Sequence, residues 1–157
     1  RGRCGHVVID LPHDFSDITL SALEASDEIL MVVAPELASV RATSMAFEVF
    51  ETLGYPREKF RLLLNWTFES GGLPRKDIEN VLGQRIDSII PYASEQFIRG
   101  VNYGIPPVFE YPESPLGALF EDLAMMFSKE DFQTSEPVNP TESWKRVQKR
   151  MERRKSD

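Results

Sequence analysis

Four short apolar runs are each followed directly by residues that could hold a ligand. These are Asp10 after VVI, Pro35 and Glu36 after ILMVVA, Asn65 after RLLL, and Pro91 and Tyr92 after DSII. If the runs are parallel strands, their carboxyl ends meet at one sheet edge, where ligands bind in α/β folds. An aspartate there can hold Mg²⁺ through water, because Mg²⁺ keeps several waters and takes few carboxylates. An equally weighted alternative is that Asp10 only caps the turn that follows.

The elements that must position these residues are short strands. Residues 6–9, 29–34, 62–64 and 89–90 are continuously apolar rather than alternating. Unbroken runs of this kind are typical of strands that are buried on both faces of a parallel sheet. The sequence therefore predicts four such strands.

Helical patterns with recognisable ends lie between the strands. Asp17 can cap a helix that runs through residue 23, and apolar residues at helical spacing over residues 42–53 stop at Gly54. Pro74 opens a helix that Gly83 closes, and Ser114 precedes the strongest amphipathic stripe, over residues 116–127. Alternating strands and helices predict an α/β fold, with a mainly parallel sheet and helices on both faces.

Composition and charge narrow the class of protein. The chain has 157 residues, of which 41% are hydrophobic and 27% charged, as expected for one soluble globular domain in the cytoplasm. Cys4 is the only cysteine, so the sequence excludes an internal disulfide and predicts a free thiol. Of the net charge of -7, residues 141–157 contribute +4 (seven Lys/Arg against three Asp/Glu), leaving -11 for residues 1–140. An acidic body argues against specific nucleic-acid binding, which needs clustered cations.

The composition also divides the chain into segments. Residues 1–128 hold the predicted strands and helices, whereas residues 129–140 are poor in apolar side chains and include two prolines. We interpret 129–140 as a flexible linker and 141–157 as a basic tail that can form a short helix.

Four segments in order resemble a known family. VVIDLPHDFSD is similar to the Walker B strand and switch loop of MinD/ParA-type P-loop ATPases, and MVVAPELASVRAT to their next strand and helix start. RLLLNW resembles the strand ending in the asparagine that reads adenine, and IIPYASEQFIRGVNYGIPPV the segment around the base pocket. The resemblance spans about residues 7 to 127 and is strongest to the CpaE/TadZ branch, which positions pilus-assembly machinery.

The chain departs from this family at its start. The family, which has a deviant Walker A motif, begins with a Gly-rich loop that carries two lysines, and this sequence has no Gly-Lys pair. The resemblance therefore implies the carboxyl-terminal part of a P-loop NTPase-like, Rossmann-like three-layer domain, with a sheet incomplete on its amino-terminal side.

The resemblance also implies roles for individual residues. Asp10 would hold Mg²⁺ through water and is the candidate catalytic residue, and Asn65 would hydrogen-bond adenine through its amide. The other candidate nucleotide-binding residues are Pro91, Tyr92, Asn102 and Gly104. The switch loop that senses the γ-phosphate would contain Pro12, His13 and Asp14.

The basic tail has a weak amphipathic pattern. Trp144, Val147 and Met151 recur at helical spacing and face several cations. A solvated tail or a partner-binding segment is the favoured interpretation, because three apolar residues bury little. The alternative is weak contact with the inner face of a membrane, for which the candidate residues are Trp144, Lys145, Arg146, Lys149 and Arg150.

The function implied for the intact protein is that of an ATP-dependent switch. It would bind ATP and Mg²⁺, form a homodimer, hydrolyse ATP slowly and position pilus or secretion machinery, or another cargo, through partner proteins. This chain alone is expected to be inactive, because the phosphate-binding loop is missing. The alternatives are a non-hydrolysing localisation or scaffold module that binds partner proteins, and another P-loop enzyme such as an amide ligase.

Overall fold

The computed structural model describes residues 5–156, which fall into two compact units, one up to Ile89 and one from Ile90 onward. Cys4 lies outside the described residues. The first unit contains, in chain order, α1 (Asp17–Ala25), β1 (Ile29–Val33), α2 (Leu37–Thr52), a 3-10 turn (Arg57–Lys59), β2 (Phe60–Asn65), α3 (Arg75–Leu82) and β3 (Ile86–Ile90), whose last residue opens the second unit.

The three strands form one sheet in the order β1-β2-β3. β1 and β2 are parallel, with Ile29 opposite Phe60 and Val33 opposite Leu64. The fold is therefore α/β with a parallel three-stranded sheet flanked by helices. The apolar runs at residues 29–34, 62–64 and 89–90 predicted these strands correctly.

The core of the first unit lies between the sheet and helices α1 to α3. Phe47 and Phe50, three residues apart on α2, both pack on Phe60 of β2, with ring centroids 5.3 Å and 4.9 Å away. Ile78 and Leu82, four residues apart on α3, are buried in the same cluster. Helical spacing thus places the apolar residues of each helix on the face that covers the sheet.

β1 is covered on one face only by the described residues. Ile29 and Val33 are buried in the core, whereas Leu30 and Val32 are 44% and 55% exposed. Because successive side chains of a strand point to opposite faces, these two residues mark a second face that is open. Burial on both faces, as predicted from the apolar run, is not seen for this strand.

The predicted strand at residues 6–9 is wrong for the described structure. Residues 6–12 have no regular secondary structure, and Val7, Val8 and Ile9 are all exposed. A strand is stable only when its backbone pairs with a neighbour, and the three-stranded sheet does not include this segment.

The helix boundaries confirm several predicted ends and correct one. Pro74 precedes α3, and Gly83 follows it in the left-handed conformation that glycine adopts without strain. The cap of α1 is Ser16 rather than Asp17, because the Ser16 hydroxyl accepts the N–H of Thr19.

The second unit is helical. It contains α4 (Ser94–Tyr103), α5 (Pro107–Glu110), α6 (Pro115–Met126), α7 (Glu130–Thr134) and α8 (Glu142–Ser156). Ser114 caps α6 as its position before Pro115 predicted, and Leu116 and Leu123 of α6 are buried. α7 lies within residues 129–140, the predicted linker, and α8 covers most of the basic tail.

No helix within residues 5–156 is both long enough and apolar enough to cross a membrane.

Candidate functional site

The carboxyl ends of β1 and β2 lie side by side in the first unit. Val33 is opposite Leu64, so Ala34, which follows β1, and Asn65, the last residue of β2, lie at the same level. This parallel register gives the sheet edge predicted from the sequence, and Asn65 is its polar member.

The Asn65 side chain is half-buried at this edge. Within the described part of the chain its amide makes no hydrogen bond. A primary amide carries both donors and an acceptor, and one that is unpaired but accessible can bind a ligand with a mixed donor and acceptor edge.

The loop after β2 closes over the end of β1. The N–H of Leu73 donates to the carbonyl of Pro35 at 2.8 Å. Gly72 is packed so closely that a side chain there would meet Trp66, Phe68 and Pro35 within 3.0 Å. Only glycine allows this approach, so the loop is pinned beside Asn65.

Trp66 packs within this loop. Its ring lies edge-on to Phe68, with centroids 6.2 Å apart, and it is partly buried against the core of the first unit. In this structure Trp66 therefore contributes to the packing of the loop.

The turn from β1 into α2 is held by a side chain that sequence reasoning missed. The backbone N–H of Ala34 donates to Ser39 Oγ at 2.9 Å, and the N–H of Glu36 donates to the Ala34 carbonyl at 2.8 Å. The serine within PELAS was the available clue, because serines near a helix start commonly bond to backbone groups.

Asp10 lies in an exposed segment without regular structure, not at a strand end. Its carboxylate has no hydrogen-bond or ion-pair partner among residues 5–156. Its role therefore stays a prediction. A free, solvated carboxylate is a suitable oxygen ligand for hydrated Mg²⁺, and no group of three or more metal-ligating side chains is found in the same range.

The three candidate switch-loop residues directly precede α1. Pro12 and His13 are exposed, whereas Asp14 has structural partners. Asp14 Oδ1 accepts from Thr19 Oγ1 at 2.7 Å and from the Ser16 N–H at 3.1 Å. The Thr19 bond, followed by those from Ser16, holds the pKa of Asp14 below its ordinary value. In this structure Asp14 orders the start of α1.

The remaining candidate nucleotide-binding residues belong to the second unit. Pro91 and Tyr92 directly follow β3, and both are exposed. Asn102 lies in the last turn of α4, and Gly104 ends that helix with φ of 67°. The structure thus describes Asn65 in one unit and these four residues in the other.

The second unit also contains an open cavity of about 610 Å³. It is lined by Gln96, Tyr111, Pro112, Glu113 and Ser114. None of these residues was a candidate from the sequence.

Comparison with known proteins finds two relatives of limited sequence identity. The chain is 26% identical over 119 residues to an uncharacterised ATP-binding protein of Methanocaldococcus jannaschii, covering 75% of this chain and 44% of the relative. It is 24% identical over 134 residues to the chloroplastic septum site-determining protein MinD homologue of Arabidopsis thaliana, covering 83% of this chain and 41% of the relative. The chain therefore spans less than half the length of these relatives. No protein-family profile matches it.

Two solved structures share the fold. A ParA family ATPase from Chlorobium tepidum superposes with a TM-score of 0.63 at 23% identity, over 70% of this chain and 45% of that one. The MinC:MinD cell division complex of Aquifex aeolicus superposes with a TM-score of 0.61 at 22% identity, over 79% of this chain and 50% of that one. Sequence similarity and shared fold together support a relationship between this chain and the MinD/ParA-type ATPases.

Proposed function

We propose that this chain is the carboxyl-terminal part of a nucleotide-binding positioning protein of the MinD/ParA type, nearest to the CpaE/TadZ branch. The intact protein binds ATP with Mg²⁺, dimerises, and uses slow hydrolysis to change its attachment to pilus or secretion machinery or another cargo. The observation that carries the proposal is the Asn65 amide at the end of β2, which makes no hydrogen bond with any residue of 5–156, in a fold shared with a ParA family ATPase.

The proposed role of Asn65 is adenine recognition. The side chain is accessible at the sheet edge, and the pinned loop beside it restricts its surroundings. In the second unit, Pro91 and Tyr92 would contribute apolar contact to the base, and Asn102 and Gly104 would shape the adjoining chain.

Asp10 is proposed to hold Mg²⁺ through water. Bound Mg²⁺ would neutralise phosphate charge, and the hard carboxylate oxygen of Asp10 suits that ion. Pro12, His13 and Asp14 would then lie in the segment that responds to the γ-phosphate. Because Asp14 accepts hydrogen bonds from Ser16, the cap of α1, and from Thr19 within α1, a change in this segment would be transmitted to that helix.

Partner binding is proposed in two forms. The MinC:MinD neighbour is a complex between different proteins, which supports attachment of the intact molecule to a partner protein. The homodimer is proposed from the family resemblance alone. Weak peripheral membrane contact is proposed for α8, through Trp144, Lys145, Arg146, Lys149 and Arg150.

The test begins with the coding sequence upstream of Arg1. A strand followed by a lysine-bearing Gly-rich loop supports the ATPase, whereas a start codon immediately upstream favours the non-hydrolysing scaffold. ATP titration and turnover of the complete gene product then measure the activity. Absence of ATP binding by a complete product that carries the Gly-rich loop would refute the proposal.

A further inference from the structure

The Asn65 amide can select one base only if its orientation is fixed. When an amide turns by half a rotation about its last side-chain bond, its oxygen and its NH2 group change places, so donor and acceptor are exchanged. Adenine presents an amino donor at the position where guanine presents an acceptor oxygen. The two orientations of the amide therefore suit different purines, and selection depends on the groups that hold Asn65 in place.

Packing must supply this orientation, because no hydrogen bond within residues 5–156 fixes the Asn65 amide. Asn65 is the last residue of β2, and its side chain is half-buried. The next residue, Trp66, is partly buried against the core of the first unit. Because Trp66 is bonded directly to Asn65, the position of the Trp66 ring sets the direction in which the backbone leaves Asn65. Groups that hold Trp66 therefore also place the amide.

The Trp66 ring is packed against two parts of the loop that follows it. The ring of Phe68 lies edge-on to it, with centroids 6.2 Å apart. A Cβ atom on Gly72 would lie 2.6 Å from Trp66 Cζ3, closer than two carbon atoms approach without overlap. The Trp66 ring thus occupies the space that a side chain at position 72 would need.

Gly72 is also packed against the end of β1. Its Cβ atom would lie 3.0 Å from Pro35 Cβ. Pro35 is fully buried, and its carbonyl accepts the N–H of Leu73 at 2.8 Å. Since Pro35 has no room to move, the Trp66 ring is the neighbour that must give way to a larger residue at position 72.

Space, rather than backbone conformation, requires glycine at position 72. Gly72 is not among the glycines of the described residues that have positive φ. Alanine can therefore adopt the same backbone conformation without strain. Gly72→Ala is thus a small change that acts through the packing of Trp66.

We propose that Gly72 is a positioning residue for adenine recognition. By leaving room for the Trp66 ring, it sets the orientation of the Asn65 amide and hence the preference for ATP over GTP. This inference rests on the adenine role proposed for Asn65 above. Gly72 acts through Trp66 and makes no contact with the base itself.

The test compares the ATP and GTP affinities of the intact protein by competition titration. The variants are Gly72→Ala and, as the reference, Asn65→Ala. Phe68→Ala removes the ring that lies against Trp66 and decides the test if Gly72→Ala does not fold. Ser70→Ala changes an exposed residue of the same loop and is the matched control.

A second measurement follows the Trp66 ring itself. Trp144→Phe leaves Trp66 as the only tryptophan of the 157-residue chain, so emission then reports on Trp66 alone. A double variant, Gly72→Ala with Trp66→Leu, removes the atom that the new methyl group would meet. The effect of Gly72→Ala on the affinity ratio should be smaller in this background than in the wild type.

We expect the ATP/GTP affinity ratio to fall about tenfold in Gly72→Ala, which corresponds to the loss of about one hydrogen bond. The emission of Trp66 should change in the same variant. Phe68→Ala should lower the ratio less, because the Gly72 contact remains. Ser70→Ala should match the wild type in both measurements.

The possible failures are distinguishable. A changed ratio in Asn65→Ala, with an unaltered ratio in Gly72→Ala and Phe68→Ala, would overturn the inference and leave the adenine role of Asn65 in place. An unaltered ratio in Asn65→Ala would refute that role, and the inference with it. Equal loss of ATP and GTP affinity in Gly72→Ala, or a changed ratio without a change in Trp66 emission, would also overturn the inference.

Discussion

The side chain of Asp87 on β3 takes the place of a backbone partner for Leu62 on β2. The N–H of Leu62 donates to Asp87 Oδ2 at 2.7 Å, and Arg61 Nη1 lies 3.6 Å from Asp87 Oδ1. Leu62 is fully buried, so its N–H has no access to water. A carboxylate of β3 thus contributes to the attachment of β3 to the central strand.

Replacing Asp87 should therefore destabilise the sheet. Asp87→Ala leaves the buried Leu62 N–H unpaired, and we expect the free energy of unfolding to fall by about 1–3 kcal/mol. Urea denaturation of the purified chain measures the change. Asp87→Asn keeps an acceptor oxygen and should lose less. Equal stability of Asp87→Ala and wild type would mean that the bond does not contribute.

Asp14 should make stability depend on pH in the acid range. Its pKa is lowered in the folded chain by Thr19 and Ser16, so its contribution is fully present above the unfolded pKa of about 4. The contribution is lost as pH falls through the folded-state pKa. Asp14→Asn should therefore be less stable than wild type at neutral pH, and the difference should disappear on acidification.

Thermal unfolding at several pH values checks this prediction. Glu24→Gln, an exposed neutral replacement on the same helix, is the control and should follow the wild type throughout. A constant difference between Asp14→Asn and wild type from neutral to acid pH would contradict the assigned cause.

Local patterns predicted much of the fold. β2 followed from RLLL, and α3 and α6 followed from Pro74, Gly83 and Ser114. Each of these features is decided by residues within one turn or one strand. The predicted α/β class was confirmed because it depends only on the order of such strands and helices along the chain.

Contacts between residues that are far apart in the sequence could not be predicted from local patterns. An apolar run at residues 6–9 indicates a strand, but pairing requires a neighbouring strand that no local pattern supplies. The prediction for the basic tail used only the residues of the tail itself. In the structure the tail helix binds Glu121, which lies 25 positions before Arg146 in the sequence. The adjacent acids Glu121 and Asp122 within the apolar stripe of α6 were the available clue.

Asn65 should determine which base the intact protein prefers. If its amide binds adenine, Asn65→Ala removes one or two hydrogen bonds and weakens ATP relative to GTP by about 1–3 kcal/mol. The chemical step should change little. Competition titrations with the two nucleotides measure the ratio. Asn80→Ala, on the exposed side of α3, is the control and should leave the ATP/GTP affinity ratio unchanged. An unaltered ratio in Asn65→Ala would place the base elsewhere.

Asp10 should affect turnover rather than affinity for the base. Its carboxylate is exposed and unpaired in the described structure, so Asp10→Ala should leave the free energy of unfolding nearly unchanged. If Asp10 orients water on Mg²⁺, its loss should lower ATP hydrolysis by the intact protein by at least about 10- to 100-fold. The ATP/GTP affinity ratio should be preserved. Phosphate release and nucleotide competition in one preparation measure both, and Glu48→Ala, at an exposed position of α2, is the control. Full turnover in Asp10→Ala would mean that Asp10 only caps the turn that follows it. A changed ATP/GTP affinity ratio with normal turnover would mean that Asp10 belongs to the base site instead.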